Sequence, residues 1–166
     1  MNKFAFVLIA LALSIGSASA QKVAVINTQK AVLETDEIKK AQVDLEAKFK
    51  PRQDKIIQLQ KDIQSIQAQL QGGKLNPQGE QELTAEGQKK QRDLQRMQQD
   101  LQDDVNVERQ DVLQRSGSRM QEVVKKIAEE KGLDIVVDST NMVFYKPAFD
   151  LTAEAVTAYN KAYPVK

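Results

Sequence analysis

Histidine and cysteine are both missing from the 166 residues. Their absence excludes thiol chemistry, disulfide cross-links, imidazole acid–base catalysis and nearly all zinc sites. It also excludes a lipoprotein anchor, which needs a Cys. Aromatic residues make up only 5% of the chain, too few for a large compact core. The phosphate-cradling pattern G-x-x-x-x-G-K-[ST] does not occur, so nothing points to nucleotide-driven work. Charge of one sign is scarce too: 24 Lys and Arg against 23 Asp and Glu leave a formal net charge of +1, which argues against a nucleic-acid binder. No catalytic residue, cofactor or metal is expected, and the chain is not read as an enzyme.

Only one long apolar run is present. Lys3 precedes Phe4 to Ile15, and Ala18-Ser19-Ala20 supplies small residues at a cleavage site before Gln21. The run is too short to span a bilayer, so residues 1–20 are expected to be a secretory signal peptide cleaved after Ala20, giving an exported protein.

What is abundant is helical periodicity. Leu45, Phe49, Ile56, Leu59, Ile63, Ile66 and Leu70 fall alternately three and four apart, interrupted only at Arg52, which is a heptad seam. Glutamine fills many polar positions of this stretch, giving helix propensity without charge. Asp36 is expected to cap this helix, and Pro51 to kink it without ending it. Gly72-Gly73 stops it; Asn76-Pro77 starts the next. There Leu83, Leu94, Met97 and Leu101 keep the spacing, and Val105 and Val112 shift it by one residue, as a stutter does. Folding the runs together about residue 76 sets Leu70 opposite Leu83, Leu59 opposite Leu94 and Ile56 opposite Met97. An antiparallel hairpin follows, with arms roughly 50 to 60 Å long. Gly117, far from the tip, reads either as a tolerated weak point or as a hinge.

Short β-branched stretches flank the hairpin. Lys22 to Ile26 reads as a strand, followed by a short helix over Gln29 to Leu33 capped by Thr28. Beyond Gly132, Asp134 to Asp138 reads as a second strand, and Met142 to Tyr145 as a third that pairs with it in a hairpin. Thr152 is expected to cap a last amphipathic helix. The fold class is therefore α+β, a long antiparallel helical hairpin projecting from a small β-rich oligomerisation body. The body is assigned residues 21–35 plus 132–166 and the arm residues 36–131, its tip near 72–77. So small a body buries too little by itself, so Val23, Val25, Ile135, Val137, Val143 and Phe144 are expected to be covered by oligomerisation.

The opening Lys22-Val23-Ala24-Val25-Ile26-Asn27, the Gln-rich hairpin, the Gly132-to-Asp138 segment and the closing Asp150-Leu151-Thr152 resemble the OmpH family over the whole chain after the signal. The resemblance implies a periplasmic chaperone that works without ATP. It also implies a homotrimer whose three bodies join and whose arms enclose a cavity for unfolded outer-membrane proteins. Some members are strongly basic in the arms, whereas Asp103-Asp104 stand here where cationic relatives would carry basic residues.

Apolar residues off the seam, Val43, Ile57, Leu75, Val107 and Leu113, are the candidate client contacts, since the hairpin does not need them to close. Lys48, Lys50 and Arg52 are expected to pair across the arm with Asp100, Asp103, Asp104 and Glu108. Lys61 and Arg92 face one another, with Lys89, Lys90 and Arg96 near by, as an unpaired basic zone suited to acidic clients or to weak contact with an anionic membrane surface. A solvated face is the plainer reading of those charges. The alternative for the whole chain is an exported coiled-coil spacer or tether that docks a folded partner. Asp134 and Asp138 could be imagined as a carboxylate pair, but acids flanking a strand more often cap or solubilise it.

Overall fold

The computed structural model describes residues 21–165, and the expected signal peptide lies outside the described residues. The elements are β1 (Val23–Ile26), α1 (Thr28–Leu33), α2 (Asp36–Gln71), α3 (Pro77–Lys131), β2 (Ile135–Asp138) and α4 (Thr152–Ala162). Short 3-10 turns occupy Ser139–Asn141 and Pro147–Phe149.

α2 and α3 are the antiparallel hairpin. α2 continues through Pro51, and α3 runs 55 residues without a break at Gly117. The tip is built as its residues dictate. Gly72 closes α2, Gly73 takes φ +62°, and the Asn76 side chain accepts the Gly79 amide at 2.7 Å with Pro77 in the first turn of α3. At the other end Gly132, at φ +60°, ends α3 in the left-handed conformation, and the Leu133 amide donates back to Ala128 at 2.8 Å.

Two caps move by one residue from expectation. Asn27, not Thr28, caps α1, accepting the Lys30 amide at 2.8 Å. Thr35, not Asp36, caps α2: its hydroxyl donates to the Val32 carbonyl at 2.8 Å and accepts the Ile38 amide at 3.3 Å. α4 gets no side-chain cap from the residue before it. Thr152 is its first residue, with its amide on Asp150 Oδ1 at 2.8 Å and its hydroxyl accepting the Asn27 amide at 2.9 Å.

The sheet differs more. β1 and β2 pair in parallel, Val23 with Ile135 through Ile26 with Asp138, so the whole helical arm is the crossover between them. The expected third strand and hairpin do not form. After β2 the Asp138 carboxylate accepts the Thr140 amide at 2.8 Å and the Thr28 amide at 3.2 Å, which turns the chain into a 3-10 turn instead of back along β2. Met142 to Tyr145 then run without a strand partner, with Val143 and Phe144 exposed. The backbone of Asp150 and Leu151 instead meets β1, Leu151 donating to the Val25 carbonyl at 2.8 Å.

The core sits where these pieces meet. Ala24 and Ile26, Ala31 and Val32, Leu151, Ala155 and Tyr159 close around Met120, Val123 and Ile127 of α3. The last three turns of α3 are thus built into the body, so the body reaches further back than residue 132. Of the residues expected to need outside cover, Val25 is buried by its own chain, Val23 and Val137 are half-buried, and Ile135, Val143 and Phe144 are exposed.

Candidate binding surface of the helical arm

The seam holds as its spacing requires. Phe49, Ile56, Ile63 and Ile66 are buried, and Leu45, Leu59 and Leu70 half-buried. On α3 the same spacing passes through Gly87 and Lys90, two positions where periodicity alone showed only gaps. A Cβ at Gly87 would meet Ile66 Cγ2 at 3.2 Å, so the glycine lets a bulky isoleucine approach the opposite helix. Lys90 keeps its charge at the edge by reaching Asp62, 3.2 Å away.

Off the seam, Val43, Ile57, Leu75 and Val107 are all exposed, Val43 at 64% and Val107 at 56%. They occupy the tip and the flanks of the arm. Leu113 does not belong with them. It packs against the body core, because α3 is already part of the body at that level.

Charges divide along the arm. Lys48 pairs with Glu108 and Arg52 with Asp104, and the two cations flank the buried Phe49 ring at 5.5 and 5.9 Å from its centroid. Lys50 instead pairs within its own helix, with Asp54 at 3.3 Å. The basic zone is less open than its composition suggested. Hydrogen bonding to Asp62 raises the Lys90 pKa, with Glu86 3.6 Å away as a second partner, and Arg96 meets Asp93 at 3.5 Å. The acids responsible lie four residues before Lys90, three before Arg96 and directly across the hairpin. Among the described residues Lys61, Lys89 and Arg92 make no ion pair within 4 Å, so the zone shrinks to these three.

A second constellation, which the seam pattern did not single out, ties the arm to the body. Glu37, in the first turn of α2, accepts Arg115 Nε at 3.0 Å, Arg119 at 2.9 Å and the hydroxyl of the buried Tyr159. Burial acts to raise the Glu37 pKa, but the donors from Tyr159, Arg115 and Arg119 outweigh it and hold the carboxyl below its ordinary value. Arg119 also lies over the Tyr163 ring, 4.7 Å from its centroid. Three helices are therefore joined at one carboxylate. A signal was present: extending the hairpin register to the root sets Glu37 opposite residue 116, between two arginines one turn apart.

A profile of the family described as "Outer membrane protein (OmpH-like)" matches residues 22–159. The chain belongs to the OmpH-like family. A Skp-like protein from Pseudomonas aeruginosa is 31% identical over 97% of this chain and 99% of its own length. The chaperone protein Skp of Yersinia enterocolitica is 25% identical, covering 89% and 91% of the two chains. The crystal structure of an OmpH-like protein from Caulobacter crescentus superposes with a TM-score of 0.77 at 16% identity, covering 89% of each chain, which shows the shared fold. Membership of this family, with a relative named as a chaperone, supports a chaperone role for this OmpH-like chain.

The carboxylates near the sheet have structural work. Asp134 accepts the Lys22 amide at 2.8 Å and so pins the start of β1. Hydrogen bonds from Thr140 and Thr28 take the Asp138 pKa down to about 2, so this acid stays ionised and holds its turn. Among the described residues no cluster of acids is placed to hold a metal ion, and no helix is long and apolar enough to cross a membrane.

Proposed function

We propose that this OmpH-like chain is an exported, ATP-independent holdase of the periplasm. Its copies join through their bodies, as trimers by family resemblance, and shelter unfolded outer-membrane proteins between their arms. The observation that carries this reading is the arm itself. It is a hairpin only two helices thick, with a closed seam inside and Val43, Ile57 and Val107 left bare outside. The hairpin does not use these side chains, and they offer scattered weak contacts along a long projection. An unfolded outer-membrane chain alternates apolar and polar residues and cannot bury the apolar ones until its barrel closes in lipid. Many weak contacts in one enclosure retain such a chain through effective concentration, and binding it lowers the population free to aggregate. Release then follows from the greater stability of the folded barrel in the membrane. The exposed Ile135, Val143 and Phe144 of the body, with half-buried Val23 and Val137, are the surface through which copies would join.

The test is sedimentation and light scattering of the mature protein mixed with an outer-membrane protein diluted from urea. Expected are a defined oligomer, a soluble complex and suppressed scattering. A stable monomer that leaves scattering unchanged removes the proposal. Saturable binding of a single folded partner, with no affinity for unfolded chains, would favour a tether.

A further inference from the structure

Near the root of the arm the seam fails locally. Moving from Leu45 toward the body, the next seam position is Gln42, with the small Ala41 beside it. On the facing helix Val105 and Val112 are displaced by one residue from the heptad. Neither helix fills the space between them, and a groove of about 290 Å³ is left. Leu33, Ile38, Leu45, Val112 and Leu113 supply its apolar walls. At its rim stands Arg109, exposed, with no carboxylate within 4 Å among the described residues. Of the other arginines along the hairpin, those at 52, 96, 115 and 119 have acidic partners, and Arg92, the other one without a partner among the described residues, lies half-way along the arm away from this groove.

We propose that this groove receives the C-terminal residue of an extended polypeptide, an apolar side chain in the pocket with the free α-carboxylate on the Arg109 guanidinium. Charge and size select this occupant. An apolar pocket beside an unpaired, always-protonated fork matches a group that is apolar at one end and a carboxylate at the other. The volume is at the lower end of that of ligand sites, with room for a large apolar side chain. An internal segment of a chain offers the side chain without the charge. The inference rests on the holdase reading and deepens it. Beyond the scattered contacts along the arm, each subunit would have one directed site that reads the end of a client.

The probe is a fluorescent octapeptide of alternating serine and leucine ending in phenylalanine, made with a free carboxylate and as the amide, titrated into the full mature protein. The free acid is expected to bind about tenfold more tightly than the amide. Arg109→Gln should remove that difference while leaving amide binding unchanged. Ala41→Leu, which fills the groove, should weaken both, and circular dichroism confirms that each variant folds. Equal binding of acid and amide by the wild-type chain overturns the inference. So does competition by decanoate with no peptide binding, which would assign the groove to alkyl carboxylates. A change in sedimentation on Ala41→Leu without peptide binding would assign it to a second copy and also overturns it. A protein that suppresses aggregation of a whole outer-membrane protein but ignores the carboxylate loses only this inference; one that suppresses nothing loses the function beneath it.

Discussion

The body and the arm are built from the same helix, yet they are stabilised differently. In the body α3 is surrounded: Met120, Ala31, Ala155 and Tyr159 are all 0% exposed. In the arm it has one neighbour, and the seam residues Leu45, Leu59 and Leu70 that face it are only half-buried. The body has a core in the ordinary sense, whereas the arm has a line of contacts one residue deep. Stability is therefore concentrated at the root, and the arm is free to be long, polar and rich in glutamine, because little of its surface has to match anything.

Truncating one packed residue in each region should separate the two most clearly. Met120→Ala is expected to cost about 2–5 kcal/mol in urea unfolding followed by circular dichroism, because the space it vacates is enclosed. Leu59→Ala in the arm should cost roughly 1–2 kcal/mol, since that side chain is only partly withdrawn from water. Equal costs would mean that the arm is as tightly organised as the body.

The junction comes next. Glu37→Gln keeps the shape but leaves Arg115 and Arg119 without their counter-charge, and a loss of about 1–3 kcal/mol is expected, smaller in high salt. If the variant unfolds as the wild type does at every salt concentration, the carboxylate is not what joins the arm to the body.

Acid should weaken the body. Asp138 has a folded pKa of about 2 against an ordinary 3.8. A depressed carboxylate contributes stability that is complete above the unfolded value and is lost as pH falls through the folded one. The body should therefore lose stability between about pH 4 and pH 2. Asp138→Asn should flatten that part of the profile. An unaltered slope in the variant would assign the acid sensitivity elsewhere.

The smallest effect is expected at Gly117. A Cβ there meets nothing within 4 Å and the helix is unbroken, so Gly117→Ala should stabilise by roughly 0.5–1 kcal/mol. Client holding that falls in this variant while stability rises would revive the hinge.

Much of the arm could be read from the chain because its information is local. The three-and-four spacing from Leu45 to Leu70, the glycine pair and Asn76-Pro77 each act within a turn or two, and together they set register as well as topology. The two caps were displaced by one residue because Thr28, Asn27, Thr35 and Asp36 are all competent caps, and only the neighbouring chain chooses among them. Met142 to Tyr145 fails to pair as a strand for a related reason. Its β-branched and aromatic character suits a strand, but strand pairing depends on where Asp138 directs the chain and on β1 being delivered alongside β2. The basic zone looks larger in sequence than it is in the fold, because the acids that neutralise its cations lie one turn away or across the hairpin. Leu113 looks free in sequence because the seam alone does not tell where the arm ends and the body begins.

The parallel pairing of β1 with β2 has a kinetic consequence. Lys22 and Asp134, which meet at the edge of the sheet, are separated by 112 positions along the chain. Closing so large a loop from a disordered chain is entropically unfavourable, but zipping the hairpin from its tip brings the two ends together and leaves only a short gap to close. The sheet should form last. Weakening the tip, at Asn76 or Gly73, should then slow refolding of a body some tens of ångströms away while hardly changing how fast that body comes apart.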